Sequence, residues 1–281
     1  MYGAILGDMI GAPYEFDRGD KTKDFILFNP KESIRYTDDT VMTLAIAKAI
    51  MQVGADAGEL PLKREFVRCM QDLGRRYAQG EYGGRFAVWL RSPDPKPYGS
   101  YGNGSAMRVS AIGWAFEFIE RTREVARYSA EVTHDHPEGI KGAESVASAI
   151  YLARTGAGKA EIRDYVSEYF GYDLSRTCDE IRPTYHHVES CQETVPQAFA
   201  AFFEGTGFED VIRTAVSLGG DCDTLTAIAG SIAEAFYGVP ENFKKEAESR
   251  LDPELLGILK DFESAGFYSQ KRTSIEADFR P

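Results

Sequence analysis

The sequence is poor in the groups that tie chains together covalently or through zinc. Its 281 residues include four cysteines, at 69, 178, 191 and 222, and four histidines. No pair of cysteines has a C-x-x-C spacing, and four scattered thiols are too few to frame a chain of this length with disulfides. Reduced thiols and a cytoplasmic setting follow as the expectation. His134-Asp135-His136 has an H-x-H spacing without further ligands close by, and Cys178, His186, His187 and Cys191 match no familiar zinc knuckle, so zinc is expected at neither place. Basic residues are also short: 32 Lys and Arg against 44 Asp and Glu give a formal charge of −12, which excludes attraction of free nucleic acid by overall charge. The stretch from Met1 to Asp8 has no basic segment and meets an acid at its eighth residue, so neither a signal peptide nor a membrane span is expected. Alternating strand patterns, a fixed internal repeat, a linker between two cores and a Walker or Rossmann glycine spacing are all missing.

What is present is helical periodicity. With 43 % hydrophobic residues the chain can bury a sizeable core. Residues 4 to 11 form a short apolar helix with small residues where another helix can approach closely, ended by Pro13. Residues 14 to 36 read as a long surface loop. A second helix, about 39 to 52, places Val41, Leu44, Ala45 and Ala49 on one side and Met42, Ile46 and Ile50 on another, so it is central. Leu62 to Gln79 is amphipathic and belongs outside. Proline and glycine punctuate residues 83 to 105 before a buried helix from Ala106 to Phe118. Further helices are expected at roughly 122 to 133, 138 to 154, 159 to 170, 194 to 204 and 208 to 217, with a polar, weakly periodic stretch at 173 to 192. Two amphipathic helices, 241 to 251 and 253 to 265, precede a polar tail. The expected fold is all-α: one compact orthogonal multi-helix domain over 1–281, with 240–281 peripheral.

Two acidic clusters stand before apolar helices: Thr37-Asp38-Asp39-Thr40 and Asp221-Cys222-Asp223-Thr224. Asp and Thr are ordinary N-caps, and a helix N-terminus favours carboxylates. Capping accounts for one side chain per helix, however, whereas adjacent Asp38 and Asp39 repel unless a cation or basic group relieves them. If the clusters meet, four carboxylates and their hydroxyls suit one or two magnesium ions, since oxygen-only donors favour magnesium, calcium or manganese over zinc. Cys222 is no nucleophile, because two flanking carboxylates raise the pKa of its thiol. Asp8, inside an apolar helix, either orients a metal ligand or is a buried acid satisfied by backbone. Glu15 heads the long loop as an acid that can enter and leave a site. The run Gly99-Ser100-Tyr101-Gly102-Asn103-Gly104-Ser105 is either a flexible connection or a loop whose N–H groups approach an anion, and Tyr101 and Asn103 favour the second.

Gly7-Asp8-Met9-Ile10-Gly11 with Glu15, Tyr36-Thr37-Asp38-Asp39-Thr40, Gly102-Asn103-Gly104-Ser105-Ala106-Met107-Arg108 and Gly219-Gly220-Asp221-Cys222-Asp223-Thr224 together resemble the ADP-ribosylglycohydrolase family, in that family's order across residues 7 to 224. The resemblance implies an all-helical domain with a central cleft holding a dinuclear magnesium, or manganese, centre. Thr37, Asp38 and Asp39 would supply ligands from one side, and Asp221, Asp223 and Thr224 from the other. Gly99 to Asn103 match the family's loop around the diphosphate and distal ribose, with Gly104 and Ser105 continuing it, and His134 matches a position lining the cleft. Glu15 matches an acid that closes over the site. The implied reaction is hydrolysis of the N- or O-glycosidic bond between ADP-ribose and a modified side chain, arginine ahead of serine, with Glu15, Asp38 or Asp39 handling the proton. The expected partner is an ADP-ribosylated protein or small conjugate. Ser92-Pro93-Asp94-Pro95-Lys96-Pro97 departs from the acidic stretch of the dinitrogenase reductase type, which leaves the linkage open. A non-catalytic ADP-ribose binder of the crystallin-like kind, or a dinuclear phosphohydrolase acting on a nucleotide, are the alternatives.

Overall fold

Fifteen α-helices follow one another among the described residues of the computed structural model, which cover 1–30, 34–77 and 82–267, with no strand and one antiparallel bridge between Gly102 and Ser190. In chain order they are α1 (Tyr2–Gly11), α2 (Asp38–Val53), α3 (Glu59–Arg76), α4 (Gly84–Arg91), α5 (Gly104–Met107), α6 (Ser110–Ala115), α7 (Ile119–Glu131) and α8 (Pro137–Arg154). They continue as α9 (Lys159–Phe170), α10 (Cys178–Ile181), α11 (Cys191–Glu204), α12 (Phe208–Val216), α13 (Cys222–Tyr237), α14 (Glu241–Arg250) and α15 (Pro253–Ser264). The expected polar tail from 268, and the last residues of the helix read to Gln79, lie outside the described residues.

The packing radiates from α1 and α13. Every residue of α1 is buried, and it lies along α13. Gly3, Gly7 and Gly11, four apart, share one helix face. A Cβ at Gly3 would stand 2.0 Å from the Gly230 carbonyl oxygen, one at Gly7 2.2 Å from that of Thr226, and one at Gly11 2.5 Å from that of Cys222. No side chain fits between the two helices, so they touch backbone to backbone. Helices α8, α11 and α12 pack around α13, α3 covers α2, α7 covers α8, and α14 and α15 rest on α1 and α2. The result is one compact all-helical domain, as the periodicity indicated.

The differences are local. Helix α1 ends at Gly11, just ahead of Pro13 as read, but a 3-10 segment, Ala12–Asp17, follows it at once, with Pro13 tolerated in its first turn. Gly83 is the N-cap of α4, a helix that the glycine pair concealed. The helix read from Ala106 to Phe118 is two, α5 and α6, separated where Arg108 and Val109 leave helical geometry. Helix α11 begins at Cys191, earlier than read, and carries Pro196 in its interior. The polar stretch 173 to 192 contains the one-turn α10, started by a capping box in which Thr177 and Glu180 exchange hydrogen bonds.

Candidate active site

The α1–α13 contact brings three chain segments to one place. Asp8, fully buried on α1, accepts hydrogen bonds from Thr37 N (2.9 Å), Thr37 Oγ1 (2.8 Å), Thr40 N (3.0 Å) and Thr40 Oγ1. It caps α2 from another helix, using both backbone and hydroxyl donors. Burial pushes its carboxyl up to about 6, against the pull of these bonds. Thr37, the N-cap of α2, also accepts from Asp39 N at 3.4 Å. Asp38 and Asp39 therefore stand on the first turn of α2, Asp38 half-buried and Asp39 buried.

The N-terminus of α13 meets them there. Thr224 Oγ1 donates to Asp39 Oδ2 at 3.1 Å, so the two acidic clusters share a hydrogen bond across 185 residues of sequence. Asp39 Oδ1 is buried with no hydrogen-bond partner. Burial, then the charges of Asp223, Asp8, Asp38 and Asp221, hold the Asp39 carboxyl well above the usual range. Burial also raises Asp223, with Asp221 and Asp8 adding to it, and pushes Asp221 up to about 7 with Glu15 and Glu189 contributing. None of Asp39, Asp221 and Asp223 forms an ion pair among the described residues. Oxygens of Glu15, Asp221 and Asp223 lie within 4.8 Å of one another, the one such group able to hold a metal among the described residues. The histidines and cysteines form none: His136 caps α8, accepting from Glu138 N at 3.1 Å, and all four thiols are buried and free.

Glu15 is positioned by its neighbour Asp17, which the sequence reading missed. Asp17 accepts from Gly220 N and from His187 N, each at 2.9 Å, and pairs with Lys21 at 3.4 Å. Burial raises the Asp17 carboxyl, but these partners outweigh it and hold it below the ordinary value. Phe16 and Asp17 turn with φ of 58° and 56°, so the chain reverses directly after Glu15. Gly220, at φ 75°, sits where only glycine is free of strain, and a Cβ there would meet the Tyr185 ring at 2.5 Å.

A cleft of about 410 Å³ opens over these acids. Glu15, Asp38, Asp39, Asp221, Asp223 and Thr224 line one end, and Ser100, Gly102, Asn103, Gly104 and His134 line the other, with Arg85, Tyr98 and Glu189 at its walls. Asn103 joins the two ends: its Nδ2 donates to Asp221 Oδ2 at 2.6 Å and to Thr194 Oγ1 at 3.0 Å, while its backbone N–H donates to Glu189 O at 2.8 Å. The remaining sequence candidates lie outside the lining. Thr37 faces Asp8. Gly99, at φ 63°, is tied to Asp135 through its N–H (2.6 Å). Tyr101 is half-exposed, with its ring 5.3 Å from that of His136. Ser105 is buried and donates to Gly139 O at 2.7 Å. Asp94 is at the surface, paired with Lys96 at 2.8 Å. Glu189 and Asp17 carried no sequence signal, since each lies in a polar stretch and acquires its place only through long-range contacts. Tyr98 and Arg108 flank the glycine loop and could have been read from that adjacency.

An all-helical domain that gathers acids from two helix N-termini beneath a glycine loop defines the class: the chain belongs to the ADP-ribosylglycohydrolase family, whose model matches residues 1–265. Members of that family are glycosyl hydrolases acting on ADP-ribose linkages, and the chain is an enzyme of this kind. It is 27 % identical to the ADP-ribosylhydrolase ARH3 of Homo sapiens, over 90 % of this chain and 89 % of that protein. It is 28 % identical to the ADP-ribosylarginine hydrolase Tri1 of Pseudomonas putida, over 89 % of this chain and 74 % of that protein. A solved structure titled an ADP-ribosylglycohydrolase-related protein complex superposes with a TM-score of 0.66 at 24 % identity, covering 95 % of this chain and 93 % of that one, which shows the shared fold. No helix among the described residues is long and apolar enough to cross a membrane.

Proposed function

We propose that the protein is a cytoplasmic magnesium-dependent glycohydrolase that cleaves the N- or O-glycosidic bond between ADP-ribose and a modified side chain, arginine before serine, and releases ADP-ribose. The observation that carries this is the crowding of the carboxylates of Asp39, Asp221 and Asp223, buried, without an ion pair, and in one case with an orphaned oxygen. Such a group is stable only if protonated or bound to a cation, and its oxygen-only donors suit magnesium, with manganese as the substitute. Thr37, Asp38 and Asp39 would hold two ions from α2, and Asp221, Asp223 and Thr224 from α13. When bound, the metal supplies a Lewis acid that polarises the ribose hydroxyls and lowers the pKa of a water beside the anomeric carbon.

The chain's own groups do the rest. Asn103 fixes the orientation of Asp221 through its 2.6 Å bond. Ser100, Gly102, Asn103 and Gly104, with His134, line the cleft and would hold the diphosphate and distal ribose, so that the scissile bond lies over the acids. Glu15 is the least buried of the three clustered acids and can exchange protons with solvent, which fits it to take the proton from the attacking water; Asp38 and Asp39 are the other acids placed to do so. As the glycosidic bond breaks, the carboxylates stabilise the positive charge growing on the anomeric carbon.

Incubation with ADP-ribosylated arginine and serine peptides, in magnesium or EDTA, tests this. Metal-dependent release of ADP-ribose is the expected result. Release of AMP would replace the reading with a phosphohydrolase, and tight binding without turnover with a non-catalytic ADP-ribose binder.

A further inference from the structure

Arg108 lies under the cleft wall with about 1 % of its surface exposed. Its Nη2 donates to Ser129 O at 2.6 Å and to Thr133 Oγ1 at 2.7 Å, and these groups hold it between the end of α7 and the break between α5 and α6. A fully buried guanidinium is costly unless it is paired or hydrogen-bonded. Among the described residues it pairs with no carboxylate, and it ends on a backbone carbonyl and a threonine hydroxyl. That hydroxyl stands 2.7 Å from His134 Nδ1.

The hydrogen count at Thr133 decides the direction of the last bond. A threonine hydroxyl has one proton and two lone pairs. One lone pair accepts from Arg108. The proton has two possible acceptors, His134 Nδ1 at 2.7 Å and Ala130 O at 3.4 Å. Ala130 O already accepts from His134 N at 2.7 Å and from Thr133 N at 3.0 Å, so both its lone pairs are taken. The proton therefore goes to Nδ1, and a cation on the oxygen's other side strengthens that donation. A neutral imidazole that accepts at Nδ1 carries its own proton on Nε2.

Nε2 faces the cleft. It forms no hydrogen bond among the described residues, and a methyl group built on Gly102 or Gly104 would stand 3.4 or 3.3 Å from it. Glycine at these two positions keeps the nitrogen uncovered. We propose that Arg108 and Thr133 are positioning residues that fix His134 as the Nε2–H tautomer, a pre-set donor to an anionic oxygen of the ligand lying against the glycine loop. Burial, with Arg108 and Arg85 adding to it, keeps the ring neutral, so the donor is not gained by charging the imidazole. Thr133 also ties the arrangement to the loop itself, since its carbonyl accepts from Tyr98 N at 3.1 Å.

The tautomer is measurable without any substrate. In protein labelled with 15N-histidine, a long-range proton–nitrogen correlation separates the protonated nitrogen of a neutral imidazole from the unprotonated one. The His134 signal is assigned by its loss in His134→Asn. The expected result is a protonated Nε2 and an unprotonated Nδ1, retained in Thr133→Ser and lost or mixed in Thr133→Val. A wild-type signal from the Nδ1–H tautomer, or an identical pattern in Thr133→Val, would overturn the proposal. A kinetic arm rests on the proposed function: Thr133→Val raises KM for an ADP-ribosylated peptide about tenfold, the worth of one hydrogen bond to a charged group, with kcat within about twofold, and Thr133→Ser restores KM. A change confined to kcat would count against positioning. If no peptide is turned over, the proposed function fails while the nitrogen spectrum still decides the tautomer.

Discussion

Asp8 and Asp39 are both buried carboxylates at the N-terminus of α2, and they have opposite surroundings. Asp8 faces four donors from Thr37 and Thr40. Asp39 has one donor, Thr224, four acidic neighbours and an orphaned oxygen. Burial alone therefore does not distinguish a structural acid from a functional one. The donors do: an acid whose lone pairs are filled by the protein holds the fold together, and on the proposed function one left unfilled is open to a cation.

The comparison breaks most sharply at α13. Asp223→Ala is expected to lower kcat/KM at least ~1000-fold, about 4 kcal/mol of transition-state stabilisation, while the metal-free protein melts no lower than wild type, because one repelling charge has gone. Near-normal rates would remove Asp223 from the metal site. Asp8→Ala is the counterpart. It strips the donors at the α2 N-terminus of their acceptor and is expected to cost about 3 kcal/mol of stability, seen as a lower urea midpoint with or without magnesium. A midpoint unchanged by Asp8→Ala would erase the distinction between the two acids.

A pH series sharpens it further. Asp8 is raised to about 6 and Asp221 to about 7, both above the value near ~4 that they hold in the unfolded chain. The folded protein then binds these protons more tightly, so stability is greatest below the unfolded value and is lost as pH climbs through 6 and 7. Metal-free protein is expected to melt at a lower temperature at pH 8 than at pH 5, and magnesium to raise the value more at pH 8 than at pH 5. A flat profile without metal would mean the acids are not coupled to folding. The smallest effect is expected from Asn103→Ala, which frees Asp221 without removing it: about a tenfold loss in kcat/KM, or ~1.4 kcal/mol, with the metal still bound by calorimetry. Loss of metal binding would make Asn103 part of the ligand framework.

Much of this was readable because it is local. Asp38-Asp39 and Asp221-x-Asp223 declare themselves by standing before apolar runs, and the helices follow from period alone. What escaped the sequence depends on distant partners. Arg108 adjoins the glycine loop in sequence, but its burial and its bonds to Ser129 and Thr133 appear only in the fold. Asp17 has no meaning until Gly220 and His187 are beside it. The small residues of α1 promised a close helix contact, but not that it would be α13, more than two hundred residues away. The alternatives for Asp8 could not be separated for the same reason, since its donors lie on another helix.

The glycine contact between α1 and α13 also acts as a mechanical element. Side chains normally form a compliant layer between helices, absorbing small displacements by changing rotamers. Between Gly3 and Gly230, Gly7 and Thr226, and Gly11 and Cys222 that layer is missing, so the pair can respond to strain only as rigid rods. A methyl wedge at Gly3 would pivot α1 and carry Asp8, about 7.5 Å further along the helix axis, out of line with α2. The catalytic end of the molecule is in this sense levered from the opposite end of its first helix, and tolerance to substitution there is set by the stiffness of the backbone, not by the chemistry of the site.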